Sequence, residues 1–161
     1  MNETAIQDRA VLTTADLLTH WQGHRRLTRR VIERFPEEQL FTYSLGGMRP
    51  FGALAWELYG VSLYTLQGMV RGEWPEPQFP QALPQDRAAV LAAWDDLTGQ
   101  LDEQLPKVPV ERYHQPQAMF WATLPGHAAV TYAIDNEIHH RGQGYVYLRS
   151  LGLEPPPFWE R

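Results

Sequence analysis

The 161-residue chain contains no cysteine. That excludes disulfides, thiolate nucleophiles and thiolate metal sites, and leaves histidine, carboxylate and amide groups as side-chain metal donors. Only one of its fourteen basic residues is lysine, Lys107, a bias toward arginine that carries no mechanism. No run of roughly eighteen apolar residues occurs, so no membrane span is expected. The polar segment Met1–Ala10 lacks the pattern of a secretory signal, and a cytoplasmic protein is expected. Positive charge is also short. The formal net charge of −5 argues against a broad electropositive face, and no nucleic-acid partner is expected. HExxH motifs, phosphate-cradling glycine loops and internal repeats are absent. What is present is ordinary for a globular protein: 43% hydrophobic and 20% charged residues. This composition and length predict one domain over residues 1–161, with a polar tail at 1–12 and a proline-rich tail at 153–161.

Caps at Thr13 and Thr14 predict a first helix running to about Phe35, stopped by Pro36. Its apolar stripe holds Leu17, Trp21, Val31 and Phe35, and helical spacing places His24 and Thr28 within that stripe, pointing inward. Arg25, Arg26, Arg29, Arg30 and Arg34 fall opposite the stripe and read as a solvated face. The segment Phe51–Val70 is apolar on nearly every side and reads as the most buried helix, with Gly60 and Gly68 allowing another helix to approach. Pro75, Pro77, Pro80 and Pro84 then forbid helix and favour an extended path. At about 3.1 Å per residue that path can retrace a helix of roughly 30 Å, so the third helix can run parallel to the second. The third helix is predicted from the Asp86 cap to about Leu105, burying Val90, Trp94, Leu97, Leu101 and Leu105. Between Pro106 and Gly126 the pattern leaves a short hairpin and a packed loop both open. A fourth helix is expected from about His127 to Leu151, ended by Gly152 and Pro155. Four helices with two long connections predict an all-α, four-helix crossover bundle.

Several polar residues fall where the core should be. On the fourth helix Ala129, Val130, Ala133, Gly144, Tyr147, Leu148 and Leu151 share one face. Glu137 and His140 sit near its centre, Asn136 at its edge, and His139 and Gln143 farther round. On the second helix Glu57 lies between Trp56 and Leu58, where burial either raises a carboxyl pKa or demands a partner. In a functional reading, Glu57 and His140 meet across the bundle with Asn136, Glu137 or His24 around a metal or a proton-transfer site. Glu57, His140 and Glu137 are then the catalytic candidates. In a structural reading, Glu57 pairs with Arg141 or a tyrosine, and His24 and His140 are core histidines satisfied by hydrogen bonds. Spacing leaves both open.

The run Asn136-Glu137-Ile138-His139-His140-Arg141-Gly142-Gln143, followed by Tyr147-Leu148-Arg149 and Gly152, resembles the signature of the DinB/YfiT-like superfamily. Met48-Arg49-Pro50-Phe51-Gly52 before Ala55-Trp56-Glu57-Leu58 resembles the family segment that carries its first metal ligand. The resemblance implies a four-helix bundle of up-down-down-up course and frequent homodimerisation. It also implies a metal site fed by one residue of helix two and a pair four apart on helix four. Here those positions are Glu57, Asn136 and His140, of which only His140 keeps the family's histidine, with His24 a possible neighbour. By the same resemblance a zinc, nickel or manganese ion would activate water or a low-molecular-weight thiol, as in thiol-dependent transferases or hydrolases. The alternative is a metal-free small-molecule-binding or stress-related protein whose site has lost its metal.

Overall fold

The computed structural model describes residues 11–78 and 82–161. The polar segment Met1–Ala10 lies outside these residues. The described chain forms helices α1 (Thr14–Arg34), α2 (Phe51–Arg71), α3 (Arg87–Gln104), the short α4 (Val110–His114) and α5 (Gly126–Ser150). Between α4 and α5 an antiparallel hairpin pairs β1 (Pro116–Ala118) with β2 (Thr123–Pro125), Gln117 opposite Leu124. Of the two forms open for this stretch, the hairpin is the one adopted, preceded by one short helix. None of the described helices is long and apolar enough to cross a membrane.

Local chemistry sets the helix ends. Thr13 and Asp16 form a reciprocal capping box at the start of α1. Asp86 accepts the Ala88 N–H at 2.9 Å and caps α3. α2 closes at Gly72, whose positive φ of 76° lets its N–H return to the Gly68 carbonyl.

Two apolar clusters give the helix directions. One joins Val31, Ile32 and Phe35 from the end of α1 to Phe51, Leu54 and Trp56 from the start of α2, Val90 and Trp94 from the start of α3, and Tyr147 and Leu148 from the end of α5. The other joins Trp21 of α1, Leu66 and Met69 of α2, Leu97 and Leu101 of α3, and Val130 and Ile134 of α5. Hence α1 and α5 run one way and α2 and α3 the other. This is the up-down-down-up course, and α2 and α5 are antiparallel neighbours.

The crossover between α2 and α3 is fastened at both ends. The Trp74 indole lies on Gly68, where a Cβ would sit 2.3 Å from the ring, and Trp56 Nε1 donates to the Pro84 carbonyl at 2.8 Å. Gly68 therefore seats the crossover's indole and not a helix. Among the described residues nothing packs on Gly60: a Cβ built there meets nothing within 4 Å.

The arginine face of α1 is not uniformly solvated. Arg25 is fully buried, its Nη2 donating to the Trp94 carbonyl at 2.8 Å and its guanidinium lying 4.2 Å from the Trp94 ring centroid. α1 packs against both α3 and α5, so its buried arc is wider than a single apolar stripe. Arg29 pairs with Asp95 of α3 and Arg30 with Glu160. The tail from Leu153 returns along α1. Arg34 Nε donates to the Glu154 carbonyl at 3.1 Å, Tyr145 Oη to the Pro156 carbonyl at 2.6 Å, and Arg161 Nη1 reaches His24 Nε2 at 3.0 Å. Phe158 and Trp159 are exposed and pack edge-to-face on each other, so neither covers the bundle.

Candidate functional site

Glu57 and His140 meet across the α2–α5 interface, with Oε1 to Nε2 at 3.0 Å. Gly144 permits the close approach one turn beyond His140, since a Cβ there would lie 2.5 Å from the Phe51 ring. Glu57 is paired a second time through Oε2, 2.5 Å from Arg49 Nη1. His140 Nδ1 lies 2.7 Å from Gln143 Oε1, whose own amide nitrogen faces Met48 Sδ at 3.5 Å. Arg141, the partner considered for Glu57 from the sequence, turns instead toward α1. Arg49 and Gln143 were missed as site residues. Gln143 follows His140 by three positions, the spacing of helix neighbours, and was open to discovery on that ground. Arg49 precedes α2, where no periodicity says which way a side chain points.

The His140 hydrogen bond lowers the Glu57 carboxyl to about 2, helped by Arg49 and opposed by burial. The same bond raises the His140 imidazole, with Gln143 adding to the rise and burial and Arg49 opposing it. The depressed carboxylate contributes stability above its unfolded value of 4.5, lost as pH falls through about 2. The raised imidazole contributes stability below 6.5, lost as pH rises through its folded value. The pair therefore contributes most between these two unfolded values. Urea titrations of Glu57→Gln should show their largest stability loss near pH 5.5, shrinking by pH 9. A loss independent of pH would refute the ion pair.

The residues present do not match a three-histidine metal centre. Among the described residues no three His, Cys, Asp or Glu side chains stand close enough to hold an ion. The Arg49 cation occupies the second Glu57 oxygen. Asn136 is half-buried one turn before His140, its Nδ2 enclosed and without a hydrogen-bond partner, so it presents a neutral amide where the resemblance implies a ligand.

Glu57 also lines a cavity of about 860 Å³ on the outer face of α2, beneath the crossover. Arg49, Trp56, Tyr59, Gly60, Tyr64 and Leu83 are among its other walls. Beside it, Tyr64, Phe120, Trp121 and Tyr132 form a partly exposed aromatic cluster around the hairpin tip.

Glu137 and His24 belong to a second polar group, on the α1 side. Thr28 Oγ1 donates to Glu137 Oε1 at 2.5 Å and accepts from Arg141 Nη1 at 3.1 Å, and Arg141 Nη2 reaches His24 Nδ1 at 2.9 Å. None of these residues hydrogen-bonds to Glu57 or His140 among the described residues. Burial raises the Glu137 carboxyl, against Arg25, Thr28 and Arg141. Burial, followed by the charges of Arg141, His20 and Arg161, depresses His24 to about 3. His24 is thus neutral and packed between the guanidinium groups of Arg141 and Arg161.

The sequence profile of the DinB family matches residues 2–161. The chain is 22% identical over 147 residues to the protein YjoA of Bacillus subtilis (strain 168), covering 90% of this chain and 95% of that one. It superposes on the crystal structure of a DinB-like protein from Bacillus cereus ATCC 10987 with a TM-score of 0.73, 17% identity and coverage of 89% and 95% of the two chains. On the crystal structure of the DinB-like YjoA of Bacillus subtilis the TM-score is 0.72, with 19% identity and coverage of 90% and 97%.

Proposed function

Since this chain belongs to the DinB family, we propose that it is a small-molecule-binding member in which a proton shared by Glu57 and His140 stands where a metal-binding relative would place its ion. The observation that carries this reading is that both imidazole nitrogens of His140 face acceptors, Gln143 Oε1 at 2.7 Å and Glu57 Oε1 at 3.0 Å. Only the imidazolium donates to both. The pair then holds an imidazolium, His140, behind an ionised carboxylate, and it is the carboxylate, Glu57, that lines a cavity large enough for a small organic molecule. Arg49 keeps the carboxylate ionised and Gln143 fixes the ring.

A zinc, nickel or manganese site on Glu57, Asn136 and His140 is the second reading, and one observation favours it. The bond from His140 Nδ1 to a side-chain carbonyl is the kind of outer contact that orients a ligating histidine. Elemental analysis of untagged protein, expressed with each metal in excess, separates the two. Under the proton-bridged reading, stoichiometric metal is absent and the ¹⁵N shifts of the His140 ring at pH 6 are those of an imidazolium. One equivalent of metal, lost in both Glu57→Ala and His140→Ala, would replace this reading with the metal centre.

A further inference from the structure

We infer that the cavity on the outer face of α2 takes an aromatic carboxylate, its ring laid on the helix backbone at Gly60 and its carboxylate held by Arg49. The inference rests on the proton-bridged, metal-free reading of Glu57 and His140.

Gly60 begins the argument. It stands in the middle of α2, where glycine weakens a helix relative to alanine. No part of the described protein requires its small size, because a Cβ there meets nothing within 4 Å. Its effect is to leave bare backbone as part of the cavity wall, a surface that a flat ring can approach more closely than any side chain would permit.

The neighbouring walls suit a ring and are fixed in advance. Trp56 and Tyr59 pack edge-to-face, 5.7 Å between centroids, and the Trp56 indole is tied to the Pro84 carbonyl. Tyr64 leans on Trp74 at 5.4 Å, and Trp74 is seated on Gly68. Leu63 and Leu83 add to the apolar lining. Such preformed aromatic walls bind without the cost of ordering side chains.

Charge selects the ligand's polar end. Among the described residues the Arg49 guanidinium is paired only with Glu57, through Nη1, and its side chain is 55% exposed. Its remaining N–H groups are open to a carboxylate in the forked geometry that guanidinium favours. With His140 also a cation, the group Arg49, Glu57 and His140 carries a net charge of about +1. Glu76, on the crossover side of the same cavity, repels an anion and so directs the carboxylate to the Arg49 end.

Calorimetric titration of the full chain with indole-3-acetate, indole and tryptamine tests this, because the ring is constant while the substituent is anionic, absent or cationic. The acetate should bind at least tenfold more tightly than either of the others. Gly60→Leu should weaken acetate binding at least tenfold with an unchanged circular-dichroism spectrum. Gly60→Ala, which adds one methyl and meets no part of the described protein, serves as the folding control and should weaken acetate binding less than Gly60→Leu does. Arg49→Gln should retain indole binding and lose the preference for the acetate. The proposal is overturned if wild type binds none of the three, if tryptamine equals or exceeds the acetate, or if folded Gly60→Leu binds like wild type. Metal content measured on the same preparations reports separately on the Glu57–His140 reading, so a failure of that reading is distinguished from a failure of ligand binding.

Discussion

Replacing Arg141 with leucine should lower the free energy of unfolding by about 3–5 kcal/mol at pH 8, the scale expected when one member of a buried ionic group is removed. Glu137 is fully buried, and Arg141 Nη1 is 3.9 Å from its Oε1 and bonded to the same Thr28 hydroxyl. Without Arg141 the carboxylate keeps Arg25 as its remaining nearby cation. It should then escape by binding a proton. Burial already holds the carboxyl above its ordinary value of 4.5, and the substitution raises it further. A carboxyl with a raised folded-state pKa removes stability as pH climbs from the unfolded value through the folded one, so the loss should be smaller at pH 5 than at pH 8. The double variant Glu137→Leu/Arg141→Leu removes the stranded charge as well and should recover most of the loss, with Thr28 still bonded to the His24 carbonyl. Equal losses at both pH values in urea titrations, or a double variant less stable than Arg141→Leu, would contradict the ionic account.

Trp94→Ala should cost a comparable amount, about 3–5 kcal/mol, for a different reason. The indole is fully buried between α1 and α3, where it lies under the Arg25 guanidinium and donates from Nε1 to the Arg25 carbonyl at 3.2 Å. The hydrogen bond and the cation–π contact are each worth on the order of 1 kcal/mol. The space left by a lost indole outweighs both, and it also exposes the buried Arg25 to water that it now excludes. Trp94→Phe keeps most of the ring and should lose less than half as much by thermal or urea denaturation. If Trp94→Phe were as damaging as Trp94→Ala, the polar contacts and not the packing would dominate.

These two residues mark what was and was not legible in the sequence. Trp94 followed from helical periodicity, as did the ends of the four long helices, because a capping threonine, a proline or a glycine acts within its own turn. The inward positions of His24, Thr28, Glu137 and His140 were legible for the same reason, since a polar residue on an apolar face is visible on one helix. Partnership was harder. Periodicity on α2 and α5 offered Arg141 as a counter-ion for Glu57, yet Arg141 faces α1 and the cation beside Glu57 is Arg49, placed by the chain leading into α2. The burial of Arg25 was hidden because a helix with two neighbours buries an arc broader than its apolar residues outline. The separation of the Glu137–His24 group from the Glu57–His140 pair is likewise a property of the packing, since residues three apart on α5 face different neighbouring helices.

The position of the Glu137 group, between the two apolar clusters, bears on how the helices are aligned lengthwise. A bundle greasy from end to end could let one helix slip past its neighbours by a turn, about 5.4 Å, and still cover its apolar surface. Here such a slip of α5 toward Trp21 and Leu66 would carry Glu137 into an apolar shell and strip it of the Thr28 hydroxyl. A slip the other way would strand Arg141 beyond His24 and Thr28. The buried charges act as a pawl on a ratchet, penalising every misaligned assembly more heavily than they cost the correct one. The same alignment sets Glu57 opposite His140, so a group that shares no hydrogen bond with that pair determines whether the pair can form.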